Sequence, residues 1–192
     1  MLKMQTKETM LEAAVRTVRE LGYAGATSRA IAARGGFNQA LIYYHYGSVD
    51  GLLLAALDAL GAERLARYRR LVDAAETPEQ LLAAAGRIYR SDRRSGHVAF
   101  VSQLVAAGMA DRELGRRVLE RLEPWIELCE DAVRRALRQT PFAGLPVSEL
   151  AYAIVTYYLG LNLLTELDPR RARADALLAQ LRQAVPLVDR SS

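Results

Sequence analysis

The sequence predicts an all-α protein of about nine helices, and three observations carry that expectation. Alanine, leucine, arginine and glutamate dominate, and the apolar/polar alternation of a half-buried strand is scarce. Apolar residues recur three and four positions apart along most of the chain. Glycine, proline and small polar residues punctuate it at helical intervals. At 192 residues, 51% hydrophobic and 25% charged, the chain has the composition of a globular protein with a core, and it shows no repeat, low-complexity run or Gly/Ser linker.

The first helix is expected from about Thr6 to Leu21, with Met10, Ala13, Ala14, Thr17, Val18 and Leu21 on one face and Gly22 as its stop. Thr27 caps a short second helix that ends near Arg34, and Gly35-Gly36 forces a tight turn. Asn38 caps a short third helix through about Tyr44. Ser48 caps a long fourth helix to about Ala74, with Asp50 in its first turn where a negative charge suits the helix dipole. Thr77-Pro78-Glu79 opens a fifth helix, which fades at Arg93-Arg94-Ser95-Gly96. A sixth spans roughly His97 to Gly108. A seventh runs from Asp111 to about Gln139, kinked or split by the internal Pro124. Ser148 caps an eighth to about Leu167, and a ninth follows Asp168-Pro169 and ends near Val185-Pro186.

Several functions are disfavoured. The one cysteine, Cys129, rules out an internal disulfide and reads as a core filler. No GxSxG, P-loop or GxGxxG is present, and His97 has no nucleophile close in sequence and reads as a partly exposed helix-cap residue, so no enzyme, cofactor or metal is expected. The longest uncharged run, Leu150 to Thr165, is 16 residues. A membrane span needs about 20 apolar residues, so none is expected. The N-terminus lacks the apolar block of a secretory signal, which leaves a cytoplasmic protein. A net charge of +4 and a pI near 9.4 permit a polyanionic partner.

Residues 22–54 carry the functional signal. Two short helices joined by a glycine turn form a helix-turn-helix, whose second helix is free to enter a major groove. Ile31, Ala32, Phe37, Ile42 and Tyr46 are spaced to face inward, which leaves Gln39, Ala40, Leu41, Tyr43, Tyr44 and His45 on or near the outer face. Tyrosine hydroxyls, histidine and helix N-terminal amides contact phosphates. A glutamine can bond adenine in a pair, and a leucine can lie against a thymine methyl. The tyrosines have an alternative use in packing against the first and fourth helices.

Gly22-Tyr23, Thr27, Ile31-Ala32, Gly36, Asn38, Ile42-Tyr43, His45-Tyr46, Ser48, Asp50 and Leu52-Leu53 resemble, in register and without gaps, the signature of the TetR family of bacterial transcriptional regulators. The resemblance implies an N-terminal three-helix DNA-binding domain, residues 1–50, and a C-terminal helical ligand-binding and dimerisation domain, residues 51–192. It implies backbone contacts from Thr27, Tyr43, Tyr44 and His45 and base-edge contacts from Gln39, Ala40 and Leu41, and it places Arg29 and Asn38 among the DNA-binding residues as well. Four positions depart from the family pattern: Asn38 replaces a serine, Tyr46 a phenylalanine, Val49 a lysine and Ala40 a glycine. Six basic and four acidic residues give residues 1–50 a net charge of only +2, so one copy binds DNA weakly and a homodimer on a palindromic operator is expected.

In the family, the fifth to seventh helices enclose a ligand and the last two pair with a second copy. Ala151 to Leu164 is apolar nearly all round, and Leu177, Leu178 and Leu181 form a stripe on the ninth helix. With Leu159 and Leu163 they are the expected dimer interface. Polar and aromatic residues embedded in apolar helices, namely Phe100, Gln103, Trp125, Tyr152 and Thr156, are the pocket candidates, with ordinary core packing as their alternative. No acid or base stands isolated in an apolar stretch, which favours an apolar or aromatic small-molecule effector. The expected function is a repressor released by that effector. A DNA-binding activator, a ligand-independent regulator and a helical protein-binding adaptor are the competing readings.

Overall fold

In the computed structural model, residues 2–138, 144–168, 176–177 and 179–180 are described. Among them the chain forms eight helices and no strand: α1 (Leu2–Gly25), α2 (Ser28–Gly35), α3 (Ala40–Tyr46), α4 (Val49–Asp73), α5 (Pro78–Ser95), α6 (His97–Ala110), α7 (Arg112–Leu137) and α8 (Val147–Leu167). Of the expected ninth helix, Ala176, Leu177, Ala179 and Gln180 are helical, while Leu178, Leu181 and the expected end at Val185-Pro186 lie outside the described residues.

Local chemistry sets most boundaries. Gly22 (φ 72°) breaks α1 where a stop is expected, and three residues of helix follow before Ala26. Leu21 then falls at the break and is exposed, unlike the rest of its predicted face. The Thr27 side chain accepts the Ala30 N–H at 3.2 Å, and Gly36 closes α2 in the left-handed region at φ 69°. Thr77 caps α5 on the Gln80 N–H, and Asp111 caps α7 on the N–H groups of Glu113 and Leu114. Two expectations are corrected. Ser148 does not cap α8: its hydroxyl donates to Glu130 Oε1 at 2.7 Å, and Pro146 stands at the cap position without a side-chain bond. Pro124 does not split α7, which runs as one helix through it.

Packing divides the chain into two compact units. The first contains Met1–Glu63 and Ala99–Arg121; the second contains Arg64–Val98 and Leu122–Ser192. These units follow packing, and α4, α6 and α7 each contribute to both, whereas the functional boundary expected at residue 50 follows the motif.

In the first unit Met10, Ala14, Val18, Ile31, Ile42 and Leu52 to Leu54 have almost no exposed surface. Burial of each large aliphatic chain contributes about 1.5–3 kcal/mol. A Cβ on Gly108 would stand 2.7 Å from Gly115 Cα, so the two glycines allow α6 and α7 to touch backbone to backbone at their turn. In the second unit Tyr68, Val72, Leu128 and Ala132 form a cluster, with Leu65, Leu81, Ile88 and Trp125 packed on it.

Helix α8 lies largely outside any core. Its stretch Val147–Thr165 has a mean hydropathy of 1.3 over 19 residues and is 11% buried. By length and composition alone it is long enough to cross a membrane, contrary to expectation, because the apolar character continues past Glu149. Its buried polar groups turn inward: Asn162 donates to the Tyr158 carbonyl, and Thr165 to the Leu161 carbonyl while meeting the Tyr89 hydroxyl at 3.2 Å.

Candidate nucleic-acid interface

Helices α2 and α3 are held by a small core and present one polar face. Ile31, Ala32 and Ile42 are buried, and Phe37 and Tyr46 are half-buried, so all five inward residues expected from spacing take that side. The Asn38 carboxamide oxygen accepts the Ala40 N–H at 2.8 Å, so Asn38 organises the start of α3, which extends two residues beyond the expected Tyr44. Gly47 (φ 75°) ends it, and the Ser48 hydroxyl accepts the Gly51 N–H at 2.9 Å to begin α4. A Cβ on Gly51 would stand 2.1 Å from the Tyr46 carbonyl oxygen, so α4 starts where only glycine fits.

The outward residues are where the motif placed them. Thr27, Arg29, Asn38, Gln39, Ala40, Tyr43 and Tyr44 are exposed, Tyr44 to 77%, while Leu41 and His45 are half-buried. The His45 ring meets Tyr44 edge-on at 4.8 Å. Ser28, which the motif did not single out, links the two helices: the Tyr43 hydroxyl donates to it at 3.3 Å, and its own hydroxyl donates to Gln39 Oε1 at 3.4 Å. Two arginines of this region are already paired, Arg16 with Glu12 and Arg34 with Glu20. Burial raises the Tyr46 pKa above the usual phenol range, which keeps its hydroxyl protonated.

Tyr23 anchors the unit from outside the recognition helix. Its hydroxyl donates to Asp50 Oδ1 at 2.7 Å, and its backbone N–H donates to Gln103 Oε1 at 3.1 Å. Its pKa is raised by burial and then by Asp50. The motif contained Tyr23 and Asp50 but gave no sign of their bond, and Gln103 was 80 residues away.

The pocket candidates fall in both units. Phe100, fully buried, and Gln103, engaged by Tyr23, belong to the first unit, and Trp125, Tyr152 and Thr156 to the second. Trp125 is half-buried, whereas Tyr152 and Thr156 lie on the exposed face of α8 with Leu163, and Leu159 is half-buried. The described Leu177 is exposed.

The second unit contains a polar centre that sequence reading missed. Asp92, only 3% exposed, accepts hydrogen bonds from the Tyr68 and Tyr158 hydroxyls and pairs with Arg64 at 3.5 Å. In sequence Asp92 stands between polar and charged neighbours, so no apolar stretch marked it. His97 is also buried, where a partly exposed cap was expected. Burial and then Arg64 push its pKa down to about 4, with Asp92 opposing. Cys129 matches its expected role: burial pushes its thiol up to about 11, away from reactivity.

The geometry so far defines an all-helical protein with an N-terminal helix-turn-helix. Residues 10–56 match the family model for bacterial regulatory proteins of the tetR family. Over 81 residues the chain is 35% identical to the HTH-type transcriptional regulator BetI of Stenotrophomonas maltophilia (strain R551-3), a match that spans 41% of this chain and 40% of that regulator. Its fold is similar to that of the fatty acid degradation regulator FadR from Bacillus halodurans, with a TM-score of 0.78 at 17% identity over 92% of this chain and 95% of that one. It is also similar to the transcriptional regulator FadR from Bacillus subtilis in complex with stearoyl-CoA, at 0.77 and 17% over 91% and 96%. Residues 10–56 thus carry the DNA-binding segment of bacterial regulatory proteins of the tetR family, and the remaining helices share the fold of the solved regulators.

Proposed function

We propose that the protein is a homodimeric, sequence-specific DNA-binding repressor of the cytoplasm, released from a palindromic operator by a small apolar or aromatic effector. The observation that carries this reading is the outer face of α3, where Gln39, Ala40, Tyr43 and Tyr44 are exposed together over a buried Ile42. On this reading residues 1–50 are the DNA-binding head and residues 51–192 serve the effector and the dimer. Gln39, Ala40 and Leu41 read base edges. Thr27, Arg29, Tyr43, Tyr44 and His45 contact the backbone, aided by the α2 N-terminus.

A second copy, not lipid, covers α8. Its exposed residues Ala153, Thr156, Leu163 and Leu167 follow the three-four spacing of a helix-pairing seam, with Gly160 at its middle. A Cβ at Gly160 would meet nothing within 4 Å, so that space is open to a partner helix. Leu159 and, from the spacing of the sequence alone, the leucines at 177, 178 and 181 are assigned to the same interface. The modest charge of the head supports the dimer, since doubling it doubles the phosphates neutralised. The effector works by its differential affinity for two arrangements of the heads.

Selection from random DNA tests this reading. The purified protein should enrich an inverted repeat and bind it as a dimer in a gel shift, and Tyr44→Ala should lose the shift. Recovery of no preferred sequence would overturn it.

A further inference from the structure

His97 opens α6 and is only 7% exposed, and its Nδ1 reaches no hydrogen-bond partner among the described residues. A buried polar nitrogen left so calls for an occupant that supplies one. The imidazole lies 6.2 Å from the Trp125 ring, tilted at 43°, and Trp125 meets Tyr68 edge-on at 5.8 Å. All three belong to the second compact unit. The neighbouring carboxylate is engaged: Asp92 takes the Tyr68 and Tyr158 hydroxyls and faces Arg64. The centre therefore offers an unsatisfied hydrogen-bonding atom beside an aromatic wall.

We propose that His97 Nδ1, with Trp125 and Tyr68, forms a binding site for an uncharged aromatic molecule bearing a hydroxyl group, a phenol in the simplest case. The inference rests on the effector-released reading above and names the class of effector. Charge argues for a neutral ligand. Arg64 and Asp92 offset one another, and the imidazole is neutral near pH 7, so a carboxylate or ammonium group would enter without a counter-charge. Hydrogen bonding argues for a hydroxyl, which donates and accepts and so satisfies either tautomer of the ring. The ring pair argues for a flat partner, because a third aromatic ring gains edge or offset contacts that an alkyl chain does not.

The test uses the full-length protein and the emission of Trp125, its one tryptophan. Four probes of similar size are titrated: 4-methylphenol, toluene, benzoate and benzylammonium. The phenol should bind about 5- to 10-fold more tightly than toluene, the span of one net hydrogen bond, and both charged probes more weakly than toluene. His97→Phe should erase the preference for the phenol while keeping toluene binding. His97→Asn, whose amide stands near the Nδ1 position, should keep the preference and covers the case in which the phenylalanine variant fails to fold. No saturable response to 4-methylphenol, tighter binding of a charged probe, or a preference surviving His97→Phe in a folded protein would overturn the site. Specific DNA binding is read separately by gel shift. A protein that shifts DNA without a His97-dependent preference loses this inference and keeps the regulator reading. One with the preference and no DNA binding keeps the site and loses the regulator.

Discussion

The Tyr23 hydroxyl donates to Asp50 Oδ1 at 2.7 Å, and the bond joins the last turn of α1 to the first turn of α4. Through its backbone N–H the same residue holds Gln103 of α6. One tyrosine thus fastens three segments of a single compact unit without lying on the recognition helix. Its raised pKa keeps it a donor throughout the working range.

Tyr23→Phe keeps the ring and removes the bond. Asp50 then loses its donor, and unfolding in urea should come about 1 kcal/mol easier. Operator affinity should fall as well, because the end of α1 that leads into α2 is loosened. Asp50→Asn retains an acceptor and should cost less than the tyrosine change. Equal urea midpoints for the wild type and Tyr23→Phe would show that water replaces the bond at no cost.

Gln39 and Tyr44 separate reading from positioning. Gln39→Ala should cost about 1–3 kcal/mol at one base pair per half-site and relax the preference there. Tyr44→Phe should weaken binding to cognate and random DNA alike. Because Ser28 donates to Gln39 Oε1 in the free protein, Ser28→Ala should free that side chain and leave the preferred sequence unchanged. Selected sequences from the variants decide the matter: an unchanged preference in Gln39→Ala removes it from the readout.

Gly160 offers a clean test of the dimer. The Cβ of a leucine there meets no described atom within 4 Å, and helix propensity improves by somewhat less than the ~0.8–1 kcal/mol that separates glycine from alanine, so the fold of the single chain should tolerate it. Against a second α8 the same side chain should collide. Sedimentation at micromolar concentration should find the wild type dimeric and Gly160→Leu monomeric and folded. A dimer that survives Gly160→Leu places the interface elsewhere.

What the sequence made legible is local. Thr27, Thr77, Asp111 and the glycines at 22, 36, 47 and 96 act on neighbours within a few residues, and the helix ends they set fall close to expectation. The inward and outward faces of α2 and α3 follow from spacing alone. What stayed hidden depends on partners far along the chain. Asp92 meets Tyr68 and Tyr158 from 24 and 66 residues away, and no pattern within α5 announces them. Ser148 looks like a cap until Glu130, 18 residues earlier, takes its hydroxyl. Tyr152 and Thr156 have the composition of pocket residues, yet their helix turns them outward.

His97 should make stability depend on pH in a definite direction. Its folded pKa, about 4, lies below the ordinary 6.5. The unfolded chain therefore binds the proton more readily, and stability is fully present above pH 6.5 and lost as the pH falls towards 4. Burial is the main cause, Arg64 reinforces it, and Asp92 opposes it. The full shift corresponds to about 3 kcal/mol, enough to matter in a domain of ordinary stability. The comparison must be with a variant that keeps every other titratable group. His97→Asn has no titrating group and preserves them all. Urea unfolding from pH 7.5 to 4.5 should show the wild type losing stability relative to His97→Asn as the pH falls. Two curves that stay parallel across that range would mean that His97 is solvated enough in the folded protein to accept its proton freely.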